Sequence, residues 1–337
     1  MNRMDASAPL ETAKPVALKR VFVSPGHNDP SEPINGLARE LRSLGVKVYP
    51  ADLSMTDDPY QWLNYALRSQ ILVFNRYDNG DGRYLQRQLY RAKLLGCSAV
   101  RWWVGTDVLN CLESQHTMQV AREVDAAVDL NIAVSPHLVT ELRDIGIEAE
   151  YVPSFCDFSA LPDNAPSPLP KGVLTYLPTH RRAFYGEAVL IAAIEANPDL
   201  EFLVIADESH ALAHYPNVTS LGWIDDLRDI WSRVGLLLRV TEHDGMPRMV
   251  LEALARSRYV IYSEVFEGCW FAKSTEQVLE HLDNFKALGD PNLHGPSIVK
   301  FSKSAKFQYL EKLENQLRPG FSLIRFWQQL QAYKKLG

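Results

Sequence analysis

The chain carries no surplus of positive charge: 35 lysines and arginines stand against 41 aspartates and glutamates, a formal net charge of -6. That excludes a general basic field able to hold nucleic acid and leaves room only for local basic patches. No stretch reaches the ~20 consecutive apolar residues of a membrane-spanning helix. The Ala/Pro-rich, polar segment 1–18 lacks the apolar centre of a secretion signal. These absences predict a cytoplasmic protein, with any membrane contact peripheral and at the inner face. Cysteine is scarce. Cys97, Cys111, Cys156 and Cys269 form no C-x-x-C pair and no metal-ligand spacing, which predicts free thiols in a reducing compartment. No Asp-x-Asp pair lies in a loop suited to a divalent cation, and no fixed-period repeat is visible.

What is present is enough apolar material for two cores: 337 residues, 46% of them hydrophobic. Short β runs at Arg20–Ser24, Val46–Tyr49, Ile71–Phe74 and Ala99–Val104 alternate with helical patterns at Asn35–Leu44, Tyr60–Arg68 and Tyr84–Leu95. A further strand within Ala126–Val134 precedes a helix at His137–Ile145. Strands joined by helices of this length predict a parallel sheet covered on both faces. The proline-rich run DNAPSPLPK at 163–171 then breaks the pattern, as a linker would. Beyond it the alternation resumes, with strands at Val173–Leu177, Glu201–Ile205, Gly235–Val240 and Tyr259–Tyr262. Helical patterns at Gly186–Ala196, Asp226–Arg233 and Met249–Arg256 lie between them. The predicted organisation is a tail (1–18), a Rossmann-like domain (19–160), a linker (161–171), a second such domain (172–305) and C-terminal helices (306–337). Two doubly wound α/β domains face a cleft, and ligands of such sheets bind just beyond the carboxyl ends of the strands.

In the last helix, Leu323, Phe326, Trp327 and Leu330 fall at i, i+3, i+4 and i+7, one apolar face. The stripe is narrow and its polar side is rich in Gln, which favours burial against the protein. The alternative is a membrane-surface helix, with Lys334 and Lys335 at its end.

The most informative segment follows the apolar run 235–240 and reads Thr241-Glu242-His243-Asp244-Gly245-Met246-Pro247-Arg248, continuing to Glu252 and Ala253. Pro247 suits a first helical turn, where a missing N–H costs nothing. The amides near Gly245 and Met246 then point into the cleft, and a helix N-terminus accepts a diphosphate. Asp244 and Glu252 are two carboxylates with seven residues between them, and Glu252 can accept both hydroxyls of a ribose.

This segment resembles the Glu-x7-Glu signature of the retaining GT-B glycosyltransferases of family 4, with Asp244 at the first acidic position and Glu252 at the second. The resemblance implies a GT-B fold whose final helix crosses back to the N-terminal domain. It also implies a nucleotide-sugar donor, UDP- or GDP-linked, as substrate rather than a resident cofactor. The acceptor would be a glycan or lipid-linked, and nucleic acid is no partner. Glu252 would contact the ribose, Asp244 the donor sugar, and the backbone of Gly245, Met246 and Pro247 the sugar and phosphates. The stretch Leu221-Gly222-Trp223-Ile224-Asp225-Asp226-Leu227 is similar to the family's base-side segment and puts Trp223 beside the base.

Other positions follow from the same likeness. Pro178-Thr179-His180-Arg181-Arg182 comes directly after a strand, where the family places a diphosphate-binding Arg; Arg181 or Arg182 can fill that role. The Lys that usually follows is absent, and Arg248 at the helix start is the substitute cation. Val104-Gly105-Thr106-Asp107 resembles the family's H-G-[ST]-D segment with Val104 in place of His. Gly105 and Thr106 are assigned to the acceptor side, and Asp107 to catalysis or acceptor binding, with helix N-capping as its plain alternative. Of Trp102 and Trp103, adjacent on a strand, one belongs to the core and the other can stack on a sugar. Gly26 and His27, after the first strand, face donor and acceptor, with His27 the candidate base. Ser135, before Pro136 and His137, reads as a helix cap. No metal ligands are assigned. Beside a metal-independent transferase stand two further readings: a catalytically silent binding or partner subunit of the same fold, and a sugar-phosphate epimerase.

Overall fold

The computed structural model describes residues 17–24, 33–50, 59–75, 82–154, 168–224, 226–317 and 323–335. The first sheet is built from β1 (Arg20–Ser24), β2 (Lys47–Pro50), β3 (Ile71–Phe74), β4 (Ser98–Trp103), β5 (Leu130–Ala133) and β6 (Glu150–Tyr151), with α1 (Pro33–Ser43), α2 (Pro59–Arg68), α3 (Gly82–Leu94), α4 (Thr106–Glu113), α5 (Gln115–Asp125) and α6 (Pro136–Asp144) between them. Its strand order is β2-β1-β3-β4-β5-β6 and every pairing is parallel. A parallel sheet is covered on both faces, so its strands read as unbroken apolar runs. All of Ile71–Phe74 is buried, as that predicts. One face carries Leu37, Leu41, Leu138 and Leu142, and the other Ala66, Leu85, Leu89 and Val124.

The second sheet repeats the plan. It contains β7 (Gly172–Tyr176), β8 (Phe202–Ile205), β9 (Val218–Gly222), β10 (Val234–Arg239), β11 (Tyr259–Tyr262) and β12 (Trp270–Phe271). These are joined by α7 (Glu187–Ala196), α8 (Arg248–Ala255) and, after β12, α9 (Thr275–Ala287) and the short α10 (Gly295–Ile298). The order is β12-β11-β10-β7-β8-β9, again parallel throughout. Two doubly wound sheets thus face each other, as the alternation of the sequence predicts.

The chain then returns. In α11 (Ala305–Asn315) the Glu314 carboxylate accepts the amide of Ala17 at 2.6 Å. The Ser98 hydroxyl donates to the carbonyl of Gln316 at 2.6 Å, and Tyr309 packs edge-on to Trp102. The last helix, α12 (Leu323–Lys334), lies on α3, where the Tyr333 hydroxyl accepts from Arg91 at 3.1 Å.

Three expectations are corrected. The apolar stripe of α12 is only partly covered: Leu323 and Trp327 are 64% and 54% exposed, while Phe326 and Leu330 are half-buried. The helix contacts the domain through Ala332 and Tyr333 instead. Residues 226–233 do not form a helix, apart from a single 3-10 turn at Ile230–Ser232. Asp226 accepts the Arg228 amide at 3.0 Å and its guanidinium at 2.7 Å, a local bond that competes with the helical backbone. Ser135 occupies the N-cap of α6 without donating or accepting a capping bond.

Candidate functional site

The carboxyl ends of the two sheets meet at a cavity of about 390 Å³. Its N-terminal wall includes Arg39 and Glu40 of α1, Trp102 at the end of β4, and Val104 and Thr106 beyond it. The opposite wall carries Tyr176, Tyr185, Trp223, Arg239, Asp244 and the start of α8 from Met246 to Met249. Pro247 is the N-cap of α8, extended at φ -66° and ψ 134°, and no side chain caps the helix. Its first amides and Arg248 therefore form an electropositive end beside the cavity.

Arg239 ends the buried strand β10 and is the feature that sequence reading missed. Its Nε and Nη2 donate to Asp244 Oδ2 at 2.9 and 2.8 Å. The guanidinium lies 5.1 and 5.2 Å from the ring centres of Tyr176 and Tyr185. Burial works against its charge, but Asp244 more than offsets that and holds the guanidinium above its ordinary pKa. Asp244 Oδ1 also accepts the Gly245 amide at 3.0 Å. The only sequence signal for Arg239 was a charge closing an otherwise apolar strand.

The loop from Asp244 to Gly245 is held from both domains. His137 on α6 of the first donates its Nε2–H to the Asp244 carbonyl at 2.7 Å, and Tyr262 on β11 of the second donates to the Gly245 carbonyl at 2.9 Å. Gly105, at φ 130°, brings the backbone of the first domain against the backbone of the second: a Cβ there would lie 2.7 Å from the Gly245 nitrogen. His243 Nε2 donates to Glu141 of α6 at 3.0 Å across the same seam.

Burial lowers the His243 pKa, but the Glu141 hydrogen bond and charge, aided by Glu264 and Asp244, leave it raised above its ordinary value. Its Nδ1 has no partner among the described residues, so any gain on protonation comes through the Glu141 side. A raised pKa means that the charged pair contributes fully below about pH 6.5 and is lost as pH rises through the higher folded value. The stability advantage of the wild type over Glu141→Gln should therefore shrink from pH 6 towards pH 9 in thermal melts. An advantage independent of pH would remove the ionic component of this contact.

Several expected site residues lie elsewhere. Asp107 is buried and turned away from the cavity; its carboxylate accepts the amides of Val104, Gly105 and Val108 at 3.1, 2.9 and 3.0 Å. Burial raises its pKa, opposed by Arg101 and those amides. It ties the loop together. Arg182 is engaged by Glu187 and Asp207 at 2.6 and 2.8 Å, and Arg181 is exposed with its guanidinium 3.9 Å from the Phe184 ring centre. Neither borders the cavity; among the described residues the cations that do are Arg39, Arg239 and Arg248. Trp103 is core, donating to Asn131 at 3.0 Å, while Trp102 reaches the cavity. Thr106, Trp223, Met246 and Pro247 border it too; Gly245 supports it from behind. Glu252 sits half-buried on α8, one turn past Arg248, outside the cavity lining. Gly26 and His27 lie outside the described residues. Cys97, Cys111 and Cys269 are free thiols. Among the described residues no three metal-ligating side chains come together, and no helix is long and apolar enough to cross a membrane.

No family profile matches the chain, and no curated protein is similar to it in sequence. Solved structures do match its fold. HepE of Anabaena, in complex with UDP and glucose, superposes with a TM-score of 0.59 at 12% identity, covering 94% of this chain and 99% of that one. Sucrose-phosphate synthase of Thermosynechococcus elongatus gives 0.58 at 13% identity, covering 95% and 99%. The pneumococcal O-GlcNAc transferase GtfA, in complex with UDP and GlcNAc, gives 0.55 at 14% identity, covering 74% of this chain and 57% of that one. The chain has the GT-B fold shared by these proteins.

Proposed function

We propose that the protein is a glycosyltransferase that moves a sugar from a nucleotide-diphosphate donor to a glycan or lipid-linked acceptor, with retention and without a metal ion, in cell-surface polysaccharide or glycoconjugate synthesis. The observation that carries this reading is the uncapped start of α8 opening into the interdomain cavity, flanked by Arg248 and the Arg239–Asp244 pair. Structures of the same fold were solved with UDP, glucose or UDP-glucose bound.

The roles follow from position. Arg248, Arg239 and the amides of Met246, Arg248 and Met249 neutralise the diphosphate, fixed charges and dipoles that need no reorganisation during the reaction. Trp223 flanks the base, Glu252 takes the ribose hydroxyls, and Asp244 meets the donor sugar. Thr106 and Gly105 belong to the acceptor side, with Gly26 and His27 assigned there by the family resemblance. In the transfer, the bond between sugar C1 and the phosphate oxygen breaks and its electron pair leaves with the diphosphate. The acceptor oxygen bonds to C1 and gives up its proton, for which His27 is the proposed base.

A second reading, a silent binding subunit, draws on Val104, which stands where the family resemblance expects His. Incubation with a panel of UDP- and GDP-sugars, measuring nucleotide release with and without EDTA, separates the two. The transferase reading expects one donor to be consumed at a rate that EDTA leaves unchanged. Nucleotide binding without turnover of any donor and acceptor would favour the silent subunit, and loss of turnover in EDTA would mean that a metal, not Arg239 and Arg248, stabilises the leaving group.

A further inference from the structure

The loop that follows β8 holds a carboxylate beside the proposed base position. Asp207 is fully buried; it accepts the amides of Ser209 and Ala211 at 3.2 and 3.1 Å and pairs with Arg182. The Ala206 amide donates to the Gly222 carbonyl at 2.6 Å, and the Glu208 amide to the Thr179 hydroxyl at 2.9 Å. These bonds fix Glu208 in an exposed turn, where its Oε1 accepts the Trp223 amide at 2.7 Å. Both of its oxygens lie alongside Gly222: a Cβ built there would find each at 3.7 Å. Among the described residues this carboxylate has no other partner. The Trp223 side chain, 55% exposed, continues from it into the wall of the cavity.

A base flanked by Trp223 therefore meets a carboxylate at its edge. We propose that Glu208 selects guanine, so that the donor is a GDP-sugar. Guanine alone among the common bases sets two donors side by side, N1–H and the 2-amino group, and the two oxygens of a carboxylate match them as a bidentate pair. Each oxygen has two lone pairs, so Oε1 can keep the Trp223 amide as well. Uracil and thymine carry one N–H between two carbonyl oxygens, which a carboxylate repels. The Trp223 amide, a donor that such a carbonyl could use, is already taken. Adenine and cytosine place their amino group beside a ring nitrogen that accepts and does not donate. HepE, solved with UDP, is only 12% identical to this chain, and a base is read by loop side chains, which the shared fold leaves free to differ. The inference rests on the reading of the cavity as a nucleotide-sugar site with the base beside Trp223, and it names that base.

The test is calorimetry of the full chain with GDP, UDP and inosine diphosphate, which differs from GDP only in lacking the 2-amino group. The wild type is expected to bind GDP about tenfold or more tighter than UDP, with inosine diphosphate between them, because a site built around a hydrogen-bonding group rejects an analogue that lacks it. In Glu208→Gln the side chain can keep its bond to Trp223 but turns an NH2 against the guanine donors. GDP affinity should then fall by about tenfold or more, to within about threefold of that for UDP, with an unchanged melting temperature. UDP or inosine diphosphate bound by the wild type as tightly as GDP, or a GDP preference that survives in Glu208→Gln, would overturn the proposal and leave the transferase reading in place. Binding of none of the three would overturn the reading of the cavity as a nucleotide site, and the base assignment with it.

Discussion

Replacement of Arg239 by glutamine is expected to abolish nucleotide binding and to destabilise the fold by about 3–5 kcal/mol, the usual cost of removing one partner of a buried ion pair. The side chains of Arg239 and Asp244 are only 9% and 17% exposed, so water reaching them from the cavity replaces the lost guanidinium poorly. The rings of Tyr176 and Tyr185 would also lose the cation between them. Adding Asp244→Asn to the Arg239→Gln variant removes the unpaired charge and should restore much of the stability, while UDP affinity stays lost. Thermal melts and calorimetry with UDP read the two effects separately. UDP affinity unchanged in Arg239→Gln would show that the diphosphate does not use this side of the cavity.

A methyl group at position 105 is expected to lower turnover by about a hundredfold, the scale of effect for a displacement near 1 Å at a reacting centre. Gly105 sits at φ 130°, which an L side chain rarely adopts, and its Cβ would meet the Gly245 backbone nitrogen at 2.7 Å. The atoms it would meet, Gly245 N and Cα and the Asp244 carbonyl carbon, are all main chain, so relief requires the two domains to shift apart. In Gly105→Ala, UDP affinity should change by less than about threefold, because the proposed diphosphate contacts come from the second domain, while nucleotide-sugar turnover falls. Equal loss of binding and turnover would instead mean that Gly105 shapes the donor pocket itself. Unchanged turnover would mean that this backbone contact has no part in assembling the site.

Much of this architecture is legible because parallel strands buried on both faces have little freedom in composition. Ile71–Phe74 and Gly235–Val240 read as strands for that reason, within a residue of the observed Ile71–Phe74 and Val234–Arg239, and the turn and helix that follow were visible from Gly245 and Pro247. The helix α9 was not identified, although Ser274 and Gln277 form a reciprocal capping box at its start. Charged residues were harder, since their partners are distant in sequence. Arg182 looked like a free cation after a strand, but Asp207, across β8, and Glu187 both take it. Asp107 looked like a cleft carboxylate, but three amides of its own loop surround it. The seam formed by His137 with Asp244 and by His243 with Glu141 joins residues more than a hundred positions apart, and no local pattern announces it. The stripe of α12 had the right period for an apolar face; periodicity identifies such a face without saying whether protein or something else covers it.

The central claim is that a nucleotide diphosphate occupies the cavity at the start of α8, and a crystal structure of the protein soaked with UDP and, separately, GDP tests it most directly. The account predicts one of the two bound with its diphosphate against the amides of Met246 and Arg248 and within hydrogen-bonding distance of Arg239 or Arg248, its ribose on Glu252 and its base beside Trp223. A nucleotide bound with its phosphates on Arg181 and Arg182, or an empty cleft at saturating concentrations of both, would contradict it.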